Sequence, residues 1–270
     1  MNNYKKKLAD SLDKNGYVII KDYIKKTDLE IIKEKLLKHN FDNKLKEGMQ
    51  FSNGFDAIPN DLVKYFYKKI IVDIIEKLTE KEVQVLSHVD VHLNASQGAW
   101  HRDSIFKDFH QSKSFYQDNY NIYKLGIYLE NYKLNKPTLR IIPFSHKNNL
   151  NRYSIFILKL TNFIFKKLRL FFGSKYTNYF PHIPFSFVKN ITVKEGTAVL
   201  FDQRIIHAGA RKSLLSNGNK LSVFITFGIK NKNTRKHLSV YGNDINVQKD
   251  FKKYLKKIYG NERLCYFKNV

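Results

Sequence analysis

The chain has 270 residues, of which 43% are hydrophobic, enough for one large domain or for one domain with an insertion. Its 48 lysines and arginines outnumber its 24 aspartates and glutamates, and the resulting net charge of +24 attracts polyanions, phosphorylated small molecules or anionic membrane surfaces. The single cysteine, Cys265, excludes an intrachain disulfide and a multi-cysteine zinc site, and the N-terminus lacks an apolar signal-peptide core, so we expect a cytoplasmic protein.

The N-terminal region predicts helices around one short strand. After a turn at 13–16, the β-branched run at 17–20 predicts a strand. Thr27 and Asp28 are typical of a helix N-terminus, and the helix they begin is expected to end near Asn40. A second helical pattern covers 62–78. From residue 83 onward the pattern changes to strands.

The segment 83–94 alternates between apolar and polar residues. Valines and Leu93 fall on one face, and the other face carries Gln84, His88, Asp90, His92 and Asn94. A strand that is apolar outward and polar inward suits a barrel whose interior is a reaction site. The alternative is an antiparallel strand with one solvated face.

Further short strands are predicted at 123–129, 138–142, 197–201 and 221–227. Short strands that follow an N-terminal helical layer indicate an α+β protein with a mainly β core. We expect a β-sandwich or jelly roll braced by helices.

The segment 155–172 is nearly all apolar but carries four cations, Lys159, Lys166, Lys167 and Arg169. Four cations in so short a run disfavour a membrane span. One interpretation is a basic amphipathic surface helix that touches a membrane or covers the site. The other is a helix inserted between strands that packs its apolar residues on the barrel.

The chemistry-bearing motif is Trp100-His101-Arg102-Asp103, together with the distant His207. Two imidazoles and one carboxylate form a facial triad, which holds one side of a ferrous ion and leaves its other positions open. His101 and Asp103 are predicted to lie at the end of a strand, where residues two apart face the same way and both can bind one metal. The same ligands also suit zinc in hydrolases.

Four segments together resemble the phytanoyl-CoA dioxygenase family of iron(II)- and 2-oxoglutarate-dependent oxygenases. They are DKNGYVII at 13–20, GAWHRD at 98–103, LRIIPFSHK at 139–147 and GTAVLFD at 196–202, the last followed by His207. The matches lie in the family's order and span most of the chain, except for an insertion at about 150–187. Phe144 stands where the family motif has glycine, which leaves the geometry of that turn open.

The resemblance implies one domain over 1–270 with a double-stranded β-helix, the cupin-like jelly roll, braced by N-terminal helices and carrying a helical insertion. It implies that His101, Asp103 and His207 bind Fe(II), and that 2-oxoglutarate and O2 are cosubstrates. The expected reaction is hydroxylation of an unactivated C–H bond. Related halogenases lack the carboxylate, so the presence of Asp103 favours hydroxylation.

The distal carboxylate of 2-oxoglutarate needs a cation, which the family supplies as an arginine at the start of the strand after the second histidine. This chain has Lys220 there, and Arg211 is the alternative. His92 and Asn94 are further candidates for contact with the cosubstrate. The predicted substrate pocket comprises Trp100, Arg102 and Ser104. His146 is interpreted as a structural loop histidine rather than a fourth metal ligand.

The leading hypothesis is therefore an oxygenase for a small or carrier-bound anionic substrate, such as a CoA ester, a nucleotide-linked sugar or a phosphorylated glycolipid at the inner face of the membrane. One alternative is a basic, cupin-shaped nucleic-acid-binding protein that uses the lysine clusters at 166–169 and 252–257. Another is a zinc hydrolase on the same three ligands. The positive charge also has a compositional explanation, because codon usage that drifts toward A and T enriches lysine.

Overall fold

The fold comes from a computed structural model that describes residues 2–42, 50–52, 54–93, 98–104, 120–130, 139–147, 150–173, 185–209, 221–241, 249–260 and 264–265. Within these residues the α-helices are α1 (Asn2–Asn15), α2 (Leu29–Asp42), α3 (Val63–Phe66), α4 (Lys69–Thr79), α5 (Arg152–Phe172), α6 (Lys232–Tyr241) and α7 (Lys249–Tyr259). The predicted N-terminal helical layer is thus confirmed.

The strands of the same residues are β1 (Tyr17–Ile20), β2 (Gln50–Ser52), β3 (Val83–Leu93), β4 (Ile122–Tyr128), β5 (Leu139–Ile142), β6 (Lys189–Ile191), β7 (Thr197–Asp202), β8 (Ile206–Gly209), β9 (Leu221–Ile229) and β10 (Leu264–Cys265). They form two sheets. The larger has the order β1-β7-β4-β9-β3-β10, with β2 also paired to β3, and the smaller has the order β6-β5-β8. Apart from the parallel pair of β10 and β3, the pairs are antiparallel.

The main hydrophobic core lies between the helices and the outer face of the larger sheet. The alternating apolar residues of β3 point there, including Val85, Val89 and Val91, each fully buried. Helices α1, α2 and α4 supply the facing side chains, such as Leu12, Leu36 and Ile75. Burial of this apolar surface is the principal stabilising contribution.

The inner face of the larger sheet meets the smaller sheet. At one end of this interior a second cluster is apolar, formed by Tyr128, Ile141, Val199 and Phe201 with their neighbours. The rest of the interior carries charged and polar groups, among them the fully buried Asp90 of β3. The predicted inward polar face of β3 is therefore buried at His88 and Asp90 and half-buried at Gln84 and His92, so the alternative of a solvated face does not hold.

Helix α5 occupies the predicted insertion and packs on the outer face of the smaller sheet. Ile155 and Leu158 of the helix meet Ile142 of β5, Ile206 of β8 and the indole of Trp100 in a third apolar cluster. An Asn151 side-chain oxygen accepts a hydrogen bond from the Ser154 amide and caps the first turn of the helix.

The turn after β5 retains the conformation that glycine would favour. Phe144, which replaces the glycine of the family motif, has a φ of 66°. This value lies in the left-handed region, where residues other than glycine are strained. Its amide donates to the Asn15 carbonyl at 3.2 Å, and the adjoining His146 packs against Gly16. The turn thus joins the smaller sheet to the end of α1.

Candidate metal centre

His101, Asp103 and His207 converge on one point between the two sheets. Each offers one ligand atom, and these three atoms lie within 4.8 Å of one another. Nε2 of His101 lies 3.4 Å from Oδ1 of Asp103, and Nε2 of His207 lies 3.6 Å from Oδ2 of the same carboxylate. The side chain of His101 is half exposed. The centre is therefore accessible to solvent at His101.

The backbone brings the two histidines together through an isolated bridge rather than a regular strand. The His101 amide donates to the His207 carbonyl at 2.9 Å, and the His207 amide donates to the His101 carbonyl at 2.9 Å. β3 ends at Leu93, so the prediction that His101 and Asp103 share a strand is wrong. The single bridge to β8 fixes the distance between residues that are far apart in sequence.

Both imidazoles have a fixed tautomer. Nδ1 of His101 donates to the Ala99 carbonyl at 2.8 Å, and Nδ1 of His207 donates to the Ile205 carbonyl at 3.1 Å. Because a carbonyl only accepts, each Nδ1 carries a proton, and each Nε2 is the nitrogen directed at the common point. This donor arrangement fits a divalent metal ion bound by two Nε2 atoms and one carboxylate.

The protonation states of Asp103 and His207 also suit metal binding. Burial alone would raise the pKa of Asp103, but the nearby Lys124 ammonium and the two histidines hold it well below its usual value. Burial, followed by repulsion from His101, lowers the pKa of His207 to about 4. Near neutral pH the site therefore contains an ionised carboxylate and a neutral imidazole, the forms that bind metals.

Lys124 is a residue of the candidate site that the sequence analysis missed. Its ammonium group is buried in the interior, with Nζ at 3.2 Å from Oδ2 of Asp103 and 3.1 Å from Oδ2 of Asp90. Burial lowers the pKa of Lys124, but the two carboxylates outweigh burial and raise it above its ordinary value. A lysine inside the otherwise apolar strand β4 was the available signal, since a buried lysine is rarely without a partner.

The three predicted pocket residues have separate locations. The Trp100 side chain is buried beneath α5, where the guanidinium of Arg140 lies 4.8 Å from its ring. Arg102 is buried and its Nη1 donates to the carbonyls of Ser145, at 2.8 Å, and Arg204. Ser104 is fully buried. In this arrangement Arg102 secures the loop that carries His101 and Asp103.

Of the predicted cosubstrate residues, only His92 is among those described. It lies on the inward face of β3, with its ring 4.7 Å from the ring of Phe224. Asn94, Arg211 and Lys220 lie outside the described residues. His146 does not belong to the metal cluster: its Nε2 is 2.9 Å from the Asp13 carbonyl oxygen, as expected for a structural histidine.

The turn before His207 is held by a buried ion pair. The Asp202 carboxylate accepts hydrogen bonds from the Arg204 backbone amide at 2.8 Å, from Nε at 2.9 Å and from Nη2 at 2.6 Å. Burial would raise the pKa of Asp202, but Arg204 lowers it. The ion pair between Asp202 and Arg204 fixes the turn from β7 into β8 and so helps to position His207.

Comparison with solved structures identifies the fold. The chain is similar to the non-heme alpha-ketoglutarate-dependent epimerase SnoN from nogalamycin biosynthesis, with a TM-score of 0.54 and 12% identity over 85% of this chain and 84% of that one. It is also similar to iron-bound HygX from Streptomyces hygroscopicus, with a TM-score of 0.57 and 14% identity over 83% and 86%. Iron-bound EctD from S. alaskensis gives a TM-score of 0.56 and 13% identity over 83% and 76%.

These similarities confirm the predicted fold, a cupin-like double-stranded β-helix whose two sheets face each other without closing into a barrel. No protein-family model matches the chain, and no curated protein matches it. Membership of the phytanoyl-CoA dioxygenase family therefore stays a resemblance. At identities of 12–14% the comparison establishes the fold, and the reaction has to be argued from the site.

Proposed function

We propose that this protein is an Fe(II)- and 2-oxoglutarate-dependent oxygenase that hydroxylates an unactivated C–H bond of a small or carrier-bound anionic substrate. The observation that carries the proposal is the triad of His101, Asp103 and His207, with both Nε2 atoms and one carboxylate directed at a common point. Three protein ligands leave coordination positions for a chelating cosubstrate and oxygen. The fold similarity to SnoN and HygX supports the same reading.

Bound ferrous iron would supply C–H oxidation coupled to the conversion of 2-oxoglutarate and O2 into succinate and CO2. The protein's own residues would orient the two imidazoles and the carboxylate that bind the metal. The carbonyls of Ala99 and Ile205 hold the two imidazoles in the ligating tautomer. Lys124 pairs with Oδ2 of Asp103. This contact would leave Oδ1 of the same carboxylate to bind the metal.

The cosubstrate is a dianion, so the proposal requires cations near the metal. Lys220 and Arg211 remain the proposed partners of its distal carboxylate, and Lys220 directly precedes β9 in the sequence. β9 pairs with both β3 and β4, the strands that carry Asp90 and Lys124. His92 and Asn94 are proposed as polar contacts from β3 and the residue that follows it.

An anionic substrate is proposed because the net charge is +24. CoA esters, nucleotide-linked sugars and phosphorylated or lipid-linked glycans share the required negative charge. Trp100, Arg102 and Ser104 remain proposed neighbours of the substrate, and all three would act through the shape of the metal-binding loop, because their side chains are buried.

The first test is the release of succinate by the iron-loaded protein, with 2-oxoglutarate and oxygen, across a panel of anionic metabolites. The expected result is substrate-stimulated succinate formation that is abolished in Asp103→Ala. A protein that produces no succinate with iron, yet hydrolyses an ester or amide with zinc, would replace the oxygenase with the zinc hydrolase that the same ligands allow.

A second candidate outcome is epimerisation, because SnoN is described as an epimerase. Incorporation of ¹⁸O from labelled O2 separates the two reactions. Hydroxylation transfers label to the product, whereas epimerisation inverts a carbon centre and leaves the product unlabelled.

A further inference from the structure

Helix α5 has two apolar faces, and only one of them is buried. Ile155, Leu158 and Phe165 point toward the protein. The opposite face exposes a stripe of large side chains spaced three, four or seven residues apart, so that they share one side of the helix. The apolar stripe consists of Tyr153, Phe156, Leu160, Phe163, Ile164 and Phe171, with Phe156 63%, Phe163 58% and Phe171 77% exposed.

The charge of this helix is of one sign. Its 21 residues contain no aspartate or glutamate. They contain five cations, Arg152, Lys159, Lys166, Lys167 and Arg169. All five are exposed, and Nζ of Lys167 lies 5.6 Å from the centre of the Phe163 ring. The charged residues that border and interrupt the apolar stripe are therefore all cations.

Helix α7 shows what an ordinary basic helix of this chain looks like. Phe251, Leu255 and Tyr259 are buried in the main core, while Lys253 and Lys256 are exposed. Compositional enrichment in lysine accounts for such a solvated face. It does not account for α5, where the aromatic side chains themselves face solvent.

We infer that α5 docks on the surface of an anionic phospholipid membrane and lies in its plane. Aromatic and aliphatic side chains enter the boundary between headgroups and acyl chains, and lysines and arginines beside them attract anionic lipids. Within the described residues, no helix is sufficiently long and apolar to cross a bilayer. The inferred contact is peripheral, because five cations in α5 disfavour its insertion across a membrane. A second copy of the chain is the weaker occupant, because pairing two such helices would bring like charges together.

The same helix is fastened to the metal-binding loop. Oδ1 of Asn162 accepts from the Trp100 amide at 2.8 Å, and Nδ2 of Asn162 donates to the Trp100 carbonyl at 2.8 Å. Trp100 directly precedes His101. A docked α5 thus holds the metal centre at the lipid surface, and on the proposed function the substrate is an anionic molecule presented by the membrane, such as a lipid-linked glycan.

The test is co-sedimentation of the full chain with vesicles of phosphatidylcholine, with and without phosphatidylserine. Wild type is expected to bind the anionic vesicles at least about tenfold more tightly, with weaker binding at high salt. Phe156→Ser/Phe163→Ser and, separately, Lys159→Glu/Lys166→Glu should each weaken binding at least about tenfold. The matched control Lys253→Glu/Lys256→Glu changes the same charge on α7 and should weaken it by less than about threefold.

Equal loss in the α7 control would overturn the inference, since general charge would then explain binding. Unchanged binding of the phenylalanine variant would overturn it too, as would a lipid-free dimer that this variant converts into monomers. The outcome is separable from the proposed function: His207→Ala should bind vesicles like wild type, whether or not the protein turns over 2-oxoglutarate.

Discussion

Nζ of Lys124 lies 3.2 Å from Oδ2 of Asp103, so a buried cation contacts the carboxylate of the candidate metal triad. The contacts continue inward. Lys124 also pairs with Asp90, Nε2 of His88 lies 3.3 Å from the same Asp90 oxygen, and Nδ1 of His88 lies 3.0 Å from Nε2 of His237 on α6. The interior thus contains a continuous polar network that links the candidate metal centre to helix α6.

Removing the cation from this network should destabilise the metal-free protein. In Lys124→Met, Asp90 and Asp103 lose a partner that compensates for their burial. We expect the free energy of unfolding to fall by about 3–5 kcal/mol near neutral pH. Urea denaturation of the metal-free protein measures this change.

The matched variant is Lys124→Met/Asp90→Asn, which removes one charge of each sign. If the pair is coupled, the second substitution recovers part of the loss, and a double-mutant cycle gives a coupling free energy of at least about 1 kcal/mol. Strictly additive losses would mean that Lys124 does not stabilise the interior through Asp90.

Much of the fold follows from local pattern. The alternation of β3, the short strands after it and the helical N-terminus were predictable because period and turn chemistry are encoded in neighbouring residues. The Lys124–Asp90 pair was not. β9 lies between β4 and β3 in the sheet, so the two residues meet only after three strands, far apart in sequence, have assembled.

The candidate metal ligands could be picked out of the sequence as residues, but their local geometry could not be predicted. The motif identified His101 and Asp103, yet the expected strand is replaced by a single backbone bridge to His207, which only the docking of β8 creates. Likewise, the exposed face of α5 could not be separated from its buried face by sequence, because both faces are apolar.

The ion pair between Asp202 and Arg204 should make the free energy of unfolding depend on pH. Since Arg204 lowers the pKa of Asp202 in the folded state, the pair stabilises the protein above the unfolded value near about pH 4, and this contribution is lost as the pH falls through the lower folded value. Asp202→Asn should reduce the free energy of unfolding by about 3–5 kcal/mol at pH 7.

Denaturant unfolding of both proteins at neutral pH and at about pH 3 measures the Asp202 effect. The difference between wild type and variant should shrink on the acid side. A difference that is independent of pH would show that the carboxylate charge is not what stabilises this turn.

The Asn162–Trp100 contact should transmit changes in α5 to the metal loop. Asn162→Ala removes two hydrogen bonds and is expected to lower the free energy of unfolding by about 1–3 kcal/mol. Trp100 is the single tryptophan of the chain, so its fluorescence reports directly on this contact and should shift to longer wavelength.

The neighbouring Thr161→Ala is the control for Asn162, because the hydrogen bond that Thr161 makes among the described residues stays within its helix, to the Ile157 carbonyl at 2.8 Å. It should leave the Trp100 emission unchanged. If both variants shift the emission alike, general loosening of α5 rather than the paired hydrogen bonds would explain the result.

The most direct test of the account is an anaerobic titration with Fe(II) followed by 2-oxoglutarate, monitored by metal content and visible absorption. The account predicts one iron per chain and a metal-to-ligand charge-transfer band when 2-oxoglutarate is added. Both should be lost in His207→Ala and retained in His146→Gln, whose histidine lies outside the metal cluster. Iron and 2-oxoglutarate bound equally well by His207→Ala, or no band in the wild-type protein, would contradict it.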